Sequence, residues 1–269
     1  MYISSLQNPK IKEIKKLEKA SVRKETGTFL LEGLREINLA FRGGYFFESI
    51  FLCESRINQS KEYNLAFLKE ISATIPVYTV SDDVYAAIAY RESTEGICAI
   101  AKAKDHTLTS LQLSSSPLIL VIEGVEKPGN FGAMLRTCDA VHVDAVIVCE
   151  AKTDVYNSNV IRSSVGTVFT NQIAIDSTWN VIQFLKQKKI VSYAAYLGSE
   201  QNYFCSDFTQ PSAIVVGTEA DGLSPDWIAA ADKKIKIPML GAIDSLNVSV
   251  SAAVLLYEGL RQRNQTKTT

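Results

Sequence analysis

Five short apolar runs in the second half of this chain constrain its fold more than any other feature. They are LILVIEG (118–124), AVIVCE (145–150), IVSYAAY (190–196), AIVVG (213–217) and IKIPM (235–239). Runs that stay apolar at successive positions, without alternation, belong to strands covered on both faces. Between the first two, GNFGAMLRTCDAV predicts a helix that packs Ala133, Met134 and Leu135 and projects Arg136. Strands that alternate with helices predict an α/β fold with a doubly wound parallel sheet. In such a sheet a ligand sits where loops leave the carboxyl ends of the strands.

The first half reads as a smaller α/β unit. FLLEG, SIFLCE, PVYTV and GICAIAKA are strand-like, LREINLAFRGG is helical, and a polar helix is expected around 61–73. Ahead of them, residues 1–24 carry seven lysines and arginines against two glutamates, a net +5. Ile11, Ile14 and Leu17 mark an apolar stripe at helical spacing. The basic side is either a solvated face or an arm that meets phosphates. The Ser/Thr-rich stretch 105–116 reads as a linker, so the expected organisation is 1–104, 105–116 and 117–265.

Composition narrows the chemistry. A net charge of −1 confines any nucleic-acid site to a local patch. No apolar run approaches the roughly 20 residues of a membrane helix, and the N-terminus has no signal-peptide core. A cytoplasmic protein is expected. Five cysteines at irregular spacing, with no CxxC and only two histidines, give no metal site and no disulfide framework. Neither GxxxxGK[ST], GxGxxG nor GxSxG is present, which argues against a P-loop, an ordinary dinucleotide fold and a serine hydrolase.

Three polar clusters follow apolar strands. The first is Glu126–Asn130 with Arg136 beyond it, the second GTEADGL from Gly217 to Leu223, the third IPMLGAIDSLNVS from Ile237 to Ser249. Singly, each has a bland reading: Asn130 or Ser245 as a helix cap, Gly217 and Gly222 as turn glycines. Together, on three strands of one sheet, they mark a site.

These motifs resemble the SpoU (TrmH-type) branch of the SPOUT methyltransferases, which carry a methyl group from S-adenosyl-L-methionine to a ribose 2′-hydroxyl of RNA. Asn130, Gly132 and Arg136 match the family's first motif. Gly217, Glu219, Gly222 and Leu223 match its second, and Ile237 to Ser249 its third. VIRSSVGTVF (160–169) is similar to an Arg-x-Ser-x-Gly element between them, and LLEGLREINLAF to the family's RNA substrate-binding domain, itself related to a ribosomal-protein fold.

The resemblance implies a trefoil-knotted C-terminal domain and a homodimer. It implies cofactor contacts from Gly217, Glu219, Gly222, Ile237, Met239, Leu246 and Asn247, with Leu197 and Gly198 after the third strand. Arg136, Asn130, Glu219, Ser245 and Asn247 are the implied catalytic set. Arg136 is expected to orient the ribose and stabilise oxyanion charge, because a guanidinium rarely gives up its proton. RNA contacts are expected from Lys10, Lys12, Arg23, Arg35, Arg42 and Arg162. The last helix, apolar all round, is expected to be buried on every side, partly against a second subunit. Ribosomal RNA of 23S type is favoured over transfer RNA. A non-catalytic RNA-binding or ribosome-assembly protein and a base methyltransferase of another knotted branch are the alternatives.

Overall fold

In a computed structural model the described residues are 1–57, 75–90, 95–218 and 220–265. They form two compact units. One comprises 1–104 with 154–170, the other 105–153 with 171–269.

The second unit is built on six strands: β6 (Leu118–Glu123), β7 (Ala145–Cys149), β8 (Ile173–Asp176), β9 (Val191–Ala195), β10 (Ser212–Val216) and β11 (Lys233–Ile235). Their order is β11-β9-β10-β6-β7-β8, and every pairing is parallel. Burial follows position in the sheet. The central β6, β7 and β10 are buried at every residue, whereas Lys233 and Lys234 leave the edge strand β11 exposed.

Four of the five expected strands are present, and IAID adds β8. The fifth lies earlier than expected, at Lys233–Ile235, and leaves Ile237, Pro238 and Met239 in the loop that follows. The helix α6 (Pro128–Val141) opens on a proline at its first turn. It buries Met134 and Leu135 and leaves Arg136 exposed. The helices α8 (Thr178–Gln187) and α9 (Pro225–Ala230) are capped by the hydroxyls of Ser177 and Ser224. The stretch 105–116 lies along β8. There the Ile175 amide donates to the His106 carbonyl at 2.8 Å, and Leu108 packs with Ile119, Ile147 and Trp227 in the core.

The first unit has a mixed sheet in the order β1-β4-β3-β5-β2: β1 (Tyr2–Ile3), β2 (Thr28–Glu32), β3 (Phe47–Leu52), β4 (Val77–Val80) and β5 (Ile97–Lys102). Four strands expected from the sequence are there, and the polar helix expected at 61–73 falls outside the described residues. The helices are α1 (Pro9–Lys16), α2 (Ala20–Thr26), α3 (Leu34–Arg42), α4 (Glu54–Ile57), α5 (Asp82–Ile88) and, from the later segment, α7 (Ser158–Ser163). Ile11, Ile14 and Leu17 are buried, as their spacing predicts.

Arg23 departs from the sequence reading. It is only 7% exposed, its Nε donates to Asp154 Oδ2 at 2.6 Å, and its Nη1 donates to the carbonyls of Leu17 and Glu18 at 2.6 and 2.8 Å. A buried guanidinium this fully engaged holds 154–170 to the N-terminal helices and has no face left for a phosphate. Phe29 stacks on Tyr156 at a centroid distance of 4.0 Å beside the same junction.

Candidate functional site

Four loops emerge at the carboxyl edge of the parallel sheet, after β6, β9, β10 and β11. The loop after β10 is the tightest. Thr218 and Gly222 exchange backbone hydrogen bonds at 2.9 and 3.2 Å, and the Asp221 amide donates to Thr218 Oγ1 at 2.9 Å. Gly222 has φ +70°, and a Cβ on Gly217 would stand 2.1 Å from the Gly222 carbonyl oxygen. Only glycine fits at 217.

Below this turn, Glu123 closes β6 as a buried carboxylate, 6% exposed. Its Oε1 accepts from the hydroxyls of Thr178 and Ser224 at 2.9 and 2.8 Å, and its Oε2 from the Ser224 amide at 2.8 Å. Ser224 is the cap of α9, so Glu123 anchors the far end of the 217–223 turn. Trp227 and Thr178 enclose Cys149 nearby, and burial pushes that thiol up to about 12.

The last helix α10 (Val248–Gln265) starts at Asn247, whose Oδ1 accepts from the amide and hydroxyl of Ser249 at 3.0 and 2.6 Å. Asn247 is therefore the cap, not Ser245, which donates to Asp244 Oδ1 at 3.1 Å. The other end of the Asn247 amide donates to Asn130 Oδ1 at 3.3 Å. Asn130 is the third residue of α6 rather than its cap. The first and third sequence clusters thus meet directly.

A cavity of about 600 Å³ lies between these loops. Leu197, Ile237, Met239 and Leu246 give it apolar walls, Gly217 and Gly222 a wall of bare backbone, and Asp221, Asp244, Ser245 and Asn247 its polar groups. The volume sits within the roughly 300–1,000 Å³ of sites for compact organic ligands, and an apolar wall with a few convergent polar groups is their usual character. Two carboxylates against the single ammonium of Lys236 leave the lining net acidic, which suits a ligand that carries positive charge.

Of the expected cofactor set, Gly217, Gly222, Ile237, Met239, Leu246, Asn247 and Leu197 line this space. Gly198 does not. A Cβ there would come within 2.6 Å of the Tyr196 ring, so its role is to seat Tyr196, which does line the cavity. Glu219 lies outside the described residues. Asn130 borders an adjoining cleft of about 110 Å³ that shares Gly217, Thr218 and Val248 with the larger one. Arg136 is exposed on α6 and is not part of either lining. Tyr196, Thr218 and Asp221 also line the cavity; in the sequence they stand inside IVSYAAY and GTEADGL with no individual role assigned.

Of the expected RNA contacts, Lys12, Arg35, Arg42 and Arg162 are exposed on the first unit. The Lys10 ammonium stands 5.1 Å above the Tyr78 ring. Arg23 is withdrawn, as described. The last helix is not buried all round by its own chain. Ala252, Leu255, Leu256 and Gly259 are buried, while Val250 and Tyr257 are 46% and 51% exposed.

Comparison with known proteins places this geometry. Residues 117–257 match the model of the SpoU rRNA Methylase family, and residues 8–99 an MRM3-like substrate binding domain. A 23S rRNA (guanosine(2553)-2′-O)-methyltransferase of Bacillus subtilis (strain 168) is 28% identical, over 95% of this chain and 97% of its own. A crystal structure of an RNA 2′-O ribose methyltransferase is 38% identical, with a TM-score of 0.82, covering 98% of this chain and 100% of that one. An AdoMet-bound rRNA methyltransferase from Sinorhizobium meliloti is 25% identical, with a TM-score of 0.87, covering 97% of each.

Proposed function

The chain belongs to the SpoU rRNA Methylase family, and from that premise we propose that it methylates a ribose 2′-hydroxyl of RNA, drawing on S-adenosyl-L-methionine. The observation that carries this reading is the cavity whose walls are the second and third motifs and whose edge is the Asn130–Asn247 bridge.

The residues fit the cofactor. Ile237, Met239, Leu246 and Leu197 would hold the adenine, the bare backbone at Gly217 and Gly222 would allow its close approach, and Asp221 and Asp244 would attract the cationic end. When bound, S-adenosylmethionine supplies an electrophilic methyl group on sulfur. Arg136 orients the ribose and stabilises the charge that grows on its 2′-oxygen. A guanidinium that stays protonated does this through its N–H donors, without acting as a base. Asn130, Ser245, Asn247 and Glu219 position those groups.

The RNA is ribosomal RNA of 23S type. The match of 8–99 to a substrate binding domain supports this, as does the 23S enzyme from Bacillus subtilis that aligns over nearly the whole chain. Residues 1–104 are the RNA-holding part, with Lys10, Lys12, Arg35 and Arg42 as its phosphate contacts; Arg162, on the later segment 154–170, adds another, and 117–265 carry the methyl transfer. Such contacts give affinity and register, and binding weakens as salt rises. The C-terminal part threads the sheet as a trefoil knot. Two copies pair through the face of α10 that bears Val250 and Tyr257, in the cytoplasm, where ribosomal RNA is found.

The test is transfer of labelled methyl from S-adenosylmethionine to total RNA from a strain lacking the gene, with the product ribose mapped by nuclease digestion and mass spectrometry. Label in ribosomal RNA at a 2′-oxygen is expected. Label on a base, or none at all, ends the reading.

A further inference from the structure

A second cavity, of about 250 Å³, lies wholly within the first unit. Leu30, Ile88 and Ile161 give it apolar surface. Its volume is below the range for drug-sized ligands, so it takes one nucleoside-sized group and not a base pair.

Tyr90 lines it with a ring that is 51% exposed yet held in place. The Tyr90 hydroxyl donates to Asn159 Oδ1 at 3.3 Å, and the Arg162 guanidinium stands 5.9 Å from the ring centroid. An exposed aromatic face fixed in orientation is a stacking platform for an unpaired base.

Charge divides the cavity, whose lining carries Glu18, Glu32, Glu36 and Glu95 against Arg23, Arg35 and Arg162. Glu95 Oε2 accepts from the Leu34 amide at 2.7 Å at the start of α3, and its Oε1 has no partner among the described residues. Glu36 lies beside it, and a Cβ on Gly33, whose φ is +89°, would come within 2.6 Å of Glu36 Oε2. That glycine therefore keeps the carboxylate side open. Arg35 and Arg162 are exposed, whereas Arg23, the third arginine of the lining, is neutralised by Asp154. A phosphate suits the exposed arginines, and N–H donors suit the carboxylates. Among the four bases, guanine alone presents an N1–H and an N2 amino group side by side. A carboxylate has about four lone-pair sites, so Glu95 accepts both while keeping its bond to Leu34.

We propose that this cavity binds one unstacked guanine nucleotide of the RNA, its base stacked on Tyr90 and hydrogen-bonded to Glu95. The proposal rests on the first unit holding RNA, as argued above.

The full-length protein, saturated with S-adenosylhomocysteine to fill the cofactor cavity, is titrated with GMP, AMP, CMP and UMP and followed by NMR. GMP is expected to bind at least about tenfold more tightly than the others, the discrimination of a bidentate contact. Glu95→Gln is expected to abolish that preference, since its amide opposes the guanine N1–H, and Tyr90→Ala to weaken all four nucleotides alike. Thermal melts check that both variants fold. Equal binding of the four nucleotides, or a preference that survives Glu95→Gln, overturns the proposal. So does displacement of GMP by an arginine-rich peptide at a lower concentration than by RNA, which assigns the cavity to a protein partner. If no nucleotide binds while RNA is still bound and methylated, the cavity proposal falls and the methyltransferase reading stands. If RNA itself is neither bound nor methylated, both fall.

Discussion

The side-chain amide of Asn247 donates to Oδ1 of Asn130 at 3.3 Å, joining positions 117 residues apart in sequence. The same side chain caps α10 through Ser249. One residue thus fixes where the last helix starts and ties that start to the first turn of α6.

Asn247→Ala should destabilise the fold more than Asn130→Ala, because it loses a cap worth about 1 kcal/mol in addition to the bridge. A double-mutant cycle by urea unfolding should give a coupling of about 0.5–1.5 kcal/mol. Additive single variants would show that the bridge contributes nothing.

Arg136 is exposed and outside the packed core, so Arg136→Ala should leave the melting temperature and S-adenosylmethionine affinity near those of the parent. Methyl transfer should fall by about 10²–10³, the loss of one donor to developing oxyanion charge. Normal turnover by this variant, measured with labelled cofactor, would remove Arg136 from the mechanism.

Gly217→Ala should be damaging. Its Cβ meets the Gly222 carbonyl at 2.1 Å and the Leu223 amide at 2.5 Å, both backbone atoms that cannot rotate aside. The expected cost is about 1–3 kcal/mol, with cofactor binding weakened as the Thr218–Gly222 pair opens. Gly129→Ala is the control. Nothing lies within 4 Å of its Cβ, and in a helical turn alanine should stabilise by about 0.5–1 kcal/mol. Calorimetric titration and thermal melts on the two variants separate close approach from mere loss of glycine.

Glu123→Ala strands the Ser224 amide and the hydroxyls of Thr178 and Ser224 without their shared acceptor. Each buried group left unpaired costs about 1–3 kcal/mol. The same change should loosen cofactor binding, whereas Ser177→Ala, which removes only the α8 cap, should lower stability without touching it. Equal cofactor affinity in the two variants would confine Glu123 to a role in packing.

Four thiols, those of Cys53, Cys98, Cys138 and Cys149, are buried, and Cys205 is exposed. Burial raises the pKa of Cys98, Cys138 and Cys149, the last from 9.0 to about 12. An aromatic disulfide reagent at pH 8 should titrate one fast thiol in the native protein and five after denaturation. Between about pH 9 and 12 the folded protein holds protons that the unfolded chain gives up, so stability should fall as pH rises through that window. A flat alkaline limb in denaturant melts would contradict the burial of these groups.

The sheet was legible because LILVIE, AVIVC and SAIVV are buried at every position, and an unbroken apolar run has few other uses. The motif loops were legible in part: close approach demands Gly217, whereas the cap of the last helix, expected at Ser245, is Asn247. What escaped was set by tertiary contact. IAID at β8 is too short to stand out, and Tyr2–Ile3 becomes a strand only by pairing with Thr79–Val80. Arg23 reads as one more exposed charge on a basic helix, and nothing local announces that Asp154 waits 131 residues away. The last helix looked wholly buried because its composition does not say which apolar face its own chain covers.

That Arg23–Asp154 pair has a consequence for anyone who would take the molecule apart. The first unit is not a contiguous stretch of gene, because the peptide that completes it is borrowed from the middle of the second unit's reading frame. Severing the chain after Lys104 would leave an orphan guanidinium in the interior, a defect of about 3–5 kcal/mol, and would strip Tyr156 from the face of Phe29. Modular shuffling of the two halves among relatives must carry residues 154–170 along with the N-terminal donor, or it should yield insoluble hybrids.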